Sequence, residues 1–303
     1  MMNWRIAIAY SVTIIAWGSA FPGIKIALQS YSPEHIALLR LLIGSSGLIV
    51  FAVVKKIRMP DLKDVPAILL LGFLGFTVYH TALNIGEKTV SAGVASLLIS
   101  ITPMFSAVLA AIFLKDRFSK MGWIGSLIAF SGVAVISVGN GGSLSAVAVG
   151  VLLILVAAAG ESCYFVFQTN YLNKYGFIPF TIYTILSGAF FMLFFCPGTV
   201  TEITQAAPSS TYALVYLGLI PTIVPYFAVA YLISKAGAAE ATSSLYLTPV
   251  AAMIIAWIWL GEIPSFLSLF GGILTLAGVS LPHWKEKEEP LLPAKQDSIE
   301  SKV

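Results

Sequence analysis

Ten runs of mostly apolar residues, each close to the ~20 residues that an α-helix needs to cross a bilayer, constrain this chain more than anything else in it. They are Trp4–Leu28, Pro33–Val54, Val65–Gly86, Val90–Leu114, Met121–Val138, Ala146–Asn170, Ile178–Gly198, Ser210–Ser234, Gly237–Leu260 and Ser265–His283, numbered here as spans 1 to 10. The connections between them are too short to hold a soluble domain. Charge agrees with this reading. Of 303 residues, 17 are basic and 14 acidic, or 10%, against roughly 25% in a soluble globular chain. Nine of these 31 charges fall in 285–303, which leaves 22 for the first 284 residues. That is too few to coat a water-soluble enzyme, a nucleic-acid binder or a disordered protein. The sequence predicts an all-α, multi-pass membrane protein. Its first span is too long for a secretory signal, and no small-residue cleavage site follows it before Lys25. Cys163 and Cys196 both lie in apolar runs and read as inert buried thiols, not as a disulfide framework.

Orientation follows from the basic residues. With the N-terminus in the cytoplasm, the inner segments hold Arg5; Lys55, Lys56, Arg58 and Lys63; Lys115, Arg117 and Lys120; Lys174; Lys235; and Lys285, Lys287, Lys295 and Lys302. The outer segments hold Lys88 alone, and Lys25 and Arg40 lie within spans. Fourteen against one predicts ten spans with both termini cytoplasmic.

The second half echoes the first. Thr102-Pro103 returns as Thr248-Pro249, and the same offset carries Asp116 to Glu262, Gly125 to Gly271, Gly132 to Gly278 and Pro33 to Pro179. Trp17-Gly18-Ser19 lies over Gly160-Glu161-Ser162 with a small shift. Each half has five spans, and because five is odd the halves must sit upside down relative to each other. An inverted five-plus-five repeat is a secondary-transporter architecture with its substrate site near the midplane. The expected units are 1–140, 141–284 and a charged, disordered cytoplasmic tail over 285–303.

With these features in view, the chain resembles the drug/metabolite transporter superfamily in its EamA-type, ten-helix branch. The resemblance rests on Ala16-Trp17-Gly18-Ser19, on Arg40 in its Leu-Leu-Arg-Leu-Leu setting, and on the two Thr-Pro segments that end at Asp116 and Glu262. It implies a cavity lined by spans 1, 3, 4, 6, 8 and 9, with spans 5 and 10 at the periphery. It also implies export of an amino acid or related metabolite, or of a drug or toxic compound, across the inner or plasma membrane.

The residues offer candidates for that work. Pro103 and Pro249 each free a carbonyl one turn back, so they predict hinges in spans 4 and 9. Pro221 and Pro225 predict a second broken segment in span 8. Glu161 stands 13 residues before Lys174, hence roughly 20 Å from that loop at ~1.5 Å per residue. A carboxylate at that depth costs roughly 2.5–3.5 kcal/mol on insertion scales, so it either binds a substrate ammonium, exchanges a proton, or serves as a hydrogen-bonded structural acid. Arg40 can bind a substrate carboxylate or cap helix carbonyls, and Lys25 can snorkel to the outer interface. Tyr79, His80 and Asn84 lie on span 3, but Tyr79 and His80 point about 100° apart, so only one need face inward. Glu161, Tyr164 and Gln168 share a face of span 6. Ser19, Ser96, Ser100, Ser243 and Tyr246 offer hydroxyls, and Trp17, Phe21, Tyr226 and Trp257 offer rings. Gly122, Gly125, Gly132, Gly271 and Gly278 permit close helix contact. The chain has no phosphate-binding Gly-Lys loop to couple transport to ATP. It has no His-Glu-x-x-His motif and no paired intramembrane aspartates. The expected partners are a small-molecule substrate, the lipid bilayer and protons, with no cofactor, metal or nucleic acid.

Overall fold

In hydrocarbon a backbone can satisfy its N–H and C=O groups only within the protein, and a helix does so inside one segment. The computed structural model of the chain describes residues 4–113, 120–139, 144–236 and 247–286, and over those residues each of the ten apolar runs is helical. Among the described residues there is no strand. The helices are α1 (Trp4–Ala27), α2 (Pro33–Val54), α3 (Val65–Gly72), α4 (Tyr79–Gly86), α5 (Ala92–Ile99), α6 (Thr102–Phe113), α7 (Lys120–Gly139) and α8 (Leu144–Phe167). They continue as α9 (Thr169–Tyr175), α10 (Phe177–Met192), α11 (Thr199–Gln205), α12 (Pro208–Leu219), α13 (Val224–Ala236), α14 (Thr248–Leu260) and α15 (Phe266–Glu286). Seven helical stretches are long and apolar enough to cross a membrane: Trp4–Ala27, Pro33–Val54, Leu62–Gly86, Ala92–Phe113, Ser145–Phe167, Phe177–Phe195 and Pro208–Leu232. Three further apolar helices, Met121–Ile136, Thr248–Leu260 and Phe266–Leu281, are shorter.

Burial is inverted relative to a soluble protein. Large apolar side chains such as Val53, Leu127, Trp257, Phe266 and Ile273 face outward, while Arg40, His80, Asn84, Glu161 and Gln168 are buried. Lipid exposes no penalty for the former, and the latter find shelter only between helices. Trp257 therefore stands outside the interior in which a substrate-stacking ring was expected. Cys163 is half-buried and Cys196 exposed, and both thiols are free.

Spans 3, 4 and 8 are interrupted well inside their length. Span 3 passes through a π-helical segment, Phe73–Val78, between α3 and α4. It crosses the α8 and α10 spans at very short range. A Cβ on Gly75 would stand 2.7 Å from Tyr164 Cβ, and one on Gly188 would stand 2.5 Å from Phe76 Cβ. Span 4 breaks at Ser100 and Ile101, one turn before Pro103, and span 8 breaks over 220–223 around Pro221. Pro225 is the second residue of α13, where a missing N–H removes no intrahelical bond.

Cross-chain contacts secure both ends of the bundle. At the end where α1 begins, the Lys174 ammonium pairs with Asp61 Oδ2 at 2.5 Å and with Asp64, and the Tyr175 hydroxyl donates to Asp64 Oδ2 at 2.5 Å. Hydrogen bonds from Lys174 and Tyr175 hold the Asp64 carboxyl below its ordinary range, so its part of the tie is lost only as pH falls below that range. At the end where α1 finishes, here the far end, Glu202 Oε2 accepts from the Ser32 N–H at 3.0 Å and faces His35 Nδ1 at 2.7 Å. Burial alone would raise the Glu202 carboxyl, but these hydrogen bonds outweigh it and leave it below its ordinary range.

Helices α7 and α15, which are spans 5 and 10, pack chiefly on each other. Their crossing is backbone-close. A Cβ on Gly278 would lie 2.5 Å from both the Ala129 nitrogen and the Gly125 carbonyl, and one on Gly132 would lie 2.5 Å from the Gly271 carbonyl. Backbone cannot step aside as a side chain can. Gly278→Ala should therefore destabilise the protein by about 1–3 kcal/mol, read as a lower thermal midpoint in detergent. Gly47→Ala, where nothing lies within 4 Å, should leave the midpoint unchanged.

Candidate functional site

The helix starts at Thr102 and Thr248 lie in the interior, and the site is built around them. Pro103 has no N–H, so the Ile99 carbonyl loses its helical donor. The Thr102 hydroxyl lies 2.8 Å from that carbonyl and 3.1 Å from Glu161 Oε2. One hydroxyl has one proton. If it caps Ile99, a neutral Glu161 carboxyl donates to Thr102; if it turns to an ionised Glu161, the Ile99 carbonyl is released. The protonation of Glu161 and the repair of the broken helix are thus coupled through the Thr102 hydroxyl. Next to it, the Ser162 hydroxyl lies 2.9 Å from the Thr102 carbonyl and 2.7 Å from that of Ala158, tying α8 to the start of α6.

A cavity opens beside this pair. It is lined by Trp17 and Phe21 of α1, Tyr79 of α4, Ser96 and Ile99 of α5, Ser100, Glu161 of α8 and Thr248 of α14, and it is small, about 10 Å³. All eight residues are buried. Trp17, Phe21, Tyr79, Ser100 and Glu161 were expected from sequence as substrate-binding residues, and the structure brings them together. Ile99 and Thr248 were not expected there. Thr248 had a signal, since it is the repeat partner of Thr102, but the motif pointed only to a hinge. Pro249 follows it in the first turn of α14. Below the cavity an aromatic cluster forms its floor. Trp17 meets Tyr226 at 5.3 Å and Phe165 at 6.3 Å, and Phe76 meets Tyr226 at 4.7 Å and Tyr164 at 5.3 Å between ring centroids.

Other expected residues stand apart from the cavity wall. Ser19 is 2.6 Å from the Tyr216 hydroxyl and 3.0 Å from the Ala16 carbonyl. The Tyr164 hydroxyl lies 3.3 Å from Thr184 Oγ1, and Gln168 is buried where α8 meets α9. His80 packs its ring on Phe76 and Tyr79, while Asn84 donates to the Pro33 carbonyl at 3.0 Å. Ser243 and Tyr246 lie outside the described residues, as do Asp116 and Glu240.

Arg40 has a specific partner. Pro221 frees the Leu217 carbonyl, and the Thr222 hydroxyl donates to it at 2.7 Å, joined by the Thr222 N–H at 3.2 Å. The proton of that hydroxyl is thereby committed, and its oxygen accepts from Arg40 Nε at 3.0 Å. Arg40 therefore acts on the break in span 8. Lys25, in turn, does not snorkel outward: its ammonium donates to the Glu87 carbonyl.

These features can be set beside known proteins. The EamA-like transporter family matches residues 4–138 and again 148–282. The chain belongs to that family. A Bacillus subtilis relative, "Uncharacterized transporter YdfC", is 55% identical over 93% of this chain and 92% of its own. A "Probable terminal-alkyne amino-acid exporter" of Streptantibioticus cattleyicolor is 37% identical over 90% of this chain and 91% of its own. "Uncharacterized inner membrane transporter YedA" of Escherichia coli K12 is 28% identical over 80% and 78%. A chain solved by crystallography superposes with a TM-score of 0.65 at 16% identity, covering 94% of this chain and 99% of that one. At that identity the likeness speaks to the fold. This EamA-family chain is a multi-pass membrane transporter, and its buried acid-and-hydroxyl cavity lies among spans of both matched segments.

The Arg40–Thr222 relay gives a test that needs no substrate. Thr222→Val keeps the shape but removes a donor to Leu217 and the acceptor of Arg40. It should cost about 2 kcal/mol or more, seen as a lowered thermal midpoint, and Thr222→Ser should restore most of it.

Proposed function

We propose that this transporter exports an amino acid or a closely related amine-bearing metabolite by alternating access around Glu161. One observation carries the reading: a single carboxyl, buried and held by Thr102 at the first turn of α6, on a cavity that is otherwise lined by hydroxyls, aromatic rings and Ile99. A carboxylate is favoured at a helix N-terminus and attracts an ammonium. The first turn of α14 faces the same cavity through Thr248. Its repeat-related neighbour on α1 is Gly18 where the first-turn neighbour of α6 is Glu161, and Gly18 has no side chain to occupy the position. A substrate carboxylate on the α14 terminus and a substrate ammonium on Glu161 would span the cavity. The amino-acid exporter relative at 37% identity supports the same class.

In this reading the ten helical runs are ten spans, arranged as inverted five-helix units over 1–140 and 141–284, with both termini and the tail over 285–303 in the cytoplasm. Support comes from pairs that cross between halves. Gly132 meets Gly271 while Gly125 meets Gly278, and all four belong to one offset. The two end ties behave likewise: 61–64 meets 174–175 at one end, and the corresponding 202–211 meets 26–35 at the other. Export then runs as an exchange. On the cytoplasmic side the substrate ammonium binds ionised Glu161. On the outer side it leaves, Glu161 takes a proton from the medium, and the Thr102 hydroxyl returns to the Ile99 carbonyl. Pro103, Pro249 and Pro221 are the hinge points.

The test is transport of a mixed set of radiolabelled amino acids in proteoliposomes, with and without an imposed pH gradient. Wild type should show gradient-driven amino-acid flux. Glu161→Gln should lose flux and exchange by roughly 10–100-fold, the scale of one charged hydrogen bond. Unchanged flux in that variant would remove Glu161 from the mechanism. No amino-acid flux in wild type would overturn the substrate class and favour drug export.

A further inference from the structure

Away from the cavity, the far end of span 3 holds a second buried acid. Glu87 follows α4 and is fully buried, and neither of its carboxyl oxygens has a hydrogen-bond partner. Buried polar atoms are paired in the great majority of cases, and an unpaired ionised carboxylate in such a place is costly. One helical turn inward on the same face, Asn84 Oδ1 is also buried and unpaired, and a turn beyond that so are both ring nitrogens of His80. These three residues stand at i, i+4 and i+7, one stripe of the helix.

Charged groups approach Glu87 from each neighbouring element that carries any. Lys25 of α1 places its ammonium on the Glu87 backbone carbonyl, so it is adjacent to the carboxyl without bonding it. Glu262, in the turn after α14, and Arg40 of α2 also act on it electrostatically. Helix α8 meets this point through Gly150 and Ile154, which pack on Gly86 and bring no charge. Glu262 has a further contact, since its Oε2 accepts from the Ala92 N–H at 3.0 Å, at the first residue of α5. Lys25, Glu87 and Glu262 thus join α1, α4, the start of α5 and the end of α14 at one level. Burial pushes the Glu87 carboxyl well above its ordinary range, with Lys25 and Arg40 opposing and Glu262 assisting.

We propose that Glu87 is a proton-binding site of the far-end gate, separate from Glu161: neutral Glu87 fits the closed arrangement seen here, and its ionisation opens that end. In the closed arrangement no group hydrogen-bonds the carboxyl, because the adjacent Lys25 ammonium donates to the backbone carbonyl instead. Loss of the proton to water leaves an unpaired buried anion, which pulls the Lys25 ammonium toward itself or admits water. Either change breaks the α1–α4 contact. Proton uptake reverses it.

The proposal makes no use of a substrate, so its failure and that of the amino-acid reading are distinguishable. The first measurement is pH-difference infrared spectroscopy of the full chain in lipid, following protonated carboxyl bands. Glu87→Gln should remove one titrating band that Glu161→Gln leaves in place. Lys25→Met should move the midpoint of that band to higher pH, because a cation that favours the anion is gone, and Glu262→Gln should move it to lower pH. The second measurement uses Ser96→Cys with Cys163→Ala and Cys196→Ala, labelled from the far end by a membrane-impermeant thiol reagent. With Glu87 present, labelling should rise severalfold as pH is raised. With Glu87→Gln, permanently neutral, it should stay low at every pH. A Glu87→Gln protein that keeps all titrating bands, or keeps the pH dependence of labelling, would overturn the proposal. If Glu87→Gln does not fold, a midpoint unmoved in both the Lys25→Met and Glu262→Gln proteins would overturn it instead.

Discussion

A carbonyl freed by proline inside a bilayer has no water to turn to, and much of the interior chemistry of this protein follows from that. At Pro103 the freed Ile99 carbonyl is met by Thr102, and at Pro221 the freed Leu217 carbonyl is met by Thr222. In both places the rescuer is a threonine beside the proline, reaching back with its own hydroxyl. Each hydroxyl then has an oxygen to spare, and each recruits a rarer group: Glu161 at the first break, Arg40 at the second. These two buried ionisable side chains are in this sense a second layer around two prolines. Broken helices are what permit motion near the middle of a membrane, and threonine keeps the break from leaving an unsatisfied polar group.

The two breaks differ in what they can do. At Thr222 the hydroxyl proton is committed to Leu217, so Arg40 can only donate, and a guanidinium does so at any accessible pH. That arrangement has one state. At Thr102 the partner is a carboxyl, which can donate or accept, so the hydroxyl has two arrangements and the helix repair depends on which is occupied. In the proposed mechanism Arg40 braces its break and Glu161 switches. Their positions agree with this division, since Glu161 lines the cavity and Arg40 does not.

Much of this was legible in the sequence because lipid imposes a simple rule on it. Apolar length gave the helices, and proline placed the breaks in spans 4 and 8 to within a turn. Depth and polarity picked out Trp17, Phe21, Tyr79, Ser100 and Glu161 for the cavity, and the 100° step along a helix rightly allowed only one of Tyr79 and His80 to face it. What stayed hidden depended on partners distant in the chain. Thr222 looks like any span threonine until Arg40 is folded against it. Lys25 has the reach to snorkel, and depth alone cannot say that a buried carbonyl at Glu87 outcompetes the interface. The π-helical stretch Phe73–Val78 leaves no mark either: its six residues suit an α-helix equally well, and it occurs where Gly75 and Gly188 bring neighbouring helices to near contact.

A scaffold related to itself by an upside-down repeat has a built-in neutrality: exchanging the conformations of its halves gives a state of similar energy facing the other way. Transport in a preferred direction requires that neutrality to be broken by the chemistry, not by the fold. Here the two Thr-Pro helix starts match, and the close glycine contacts of spans 5 and 10 match, but the residue set against the first helix start is Glu161 and the residue set against the second is Gly18. A Cβ at Gly18 would already lie 2.8 Å from Ala251, so no acid can be accommodated there without displacing α14. Of the two Thr-Pro helix starts, only the first therefore has a carboxyl set against it. In the proposed exchange, the uncovered start receives the negative end of the substrate.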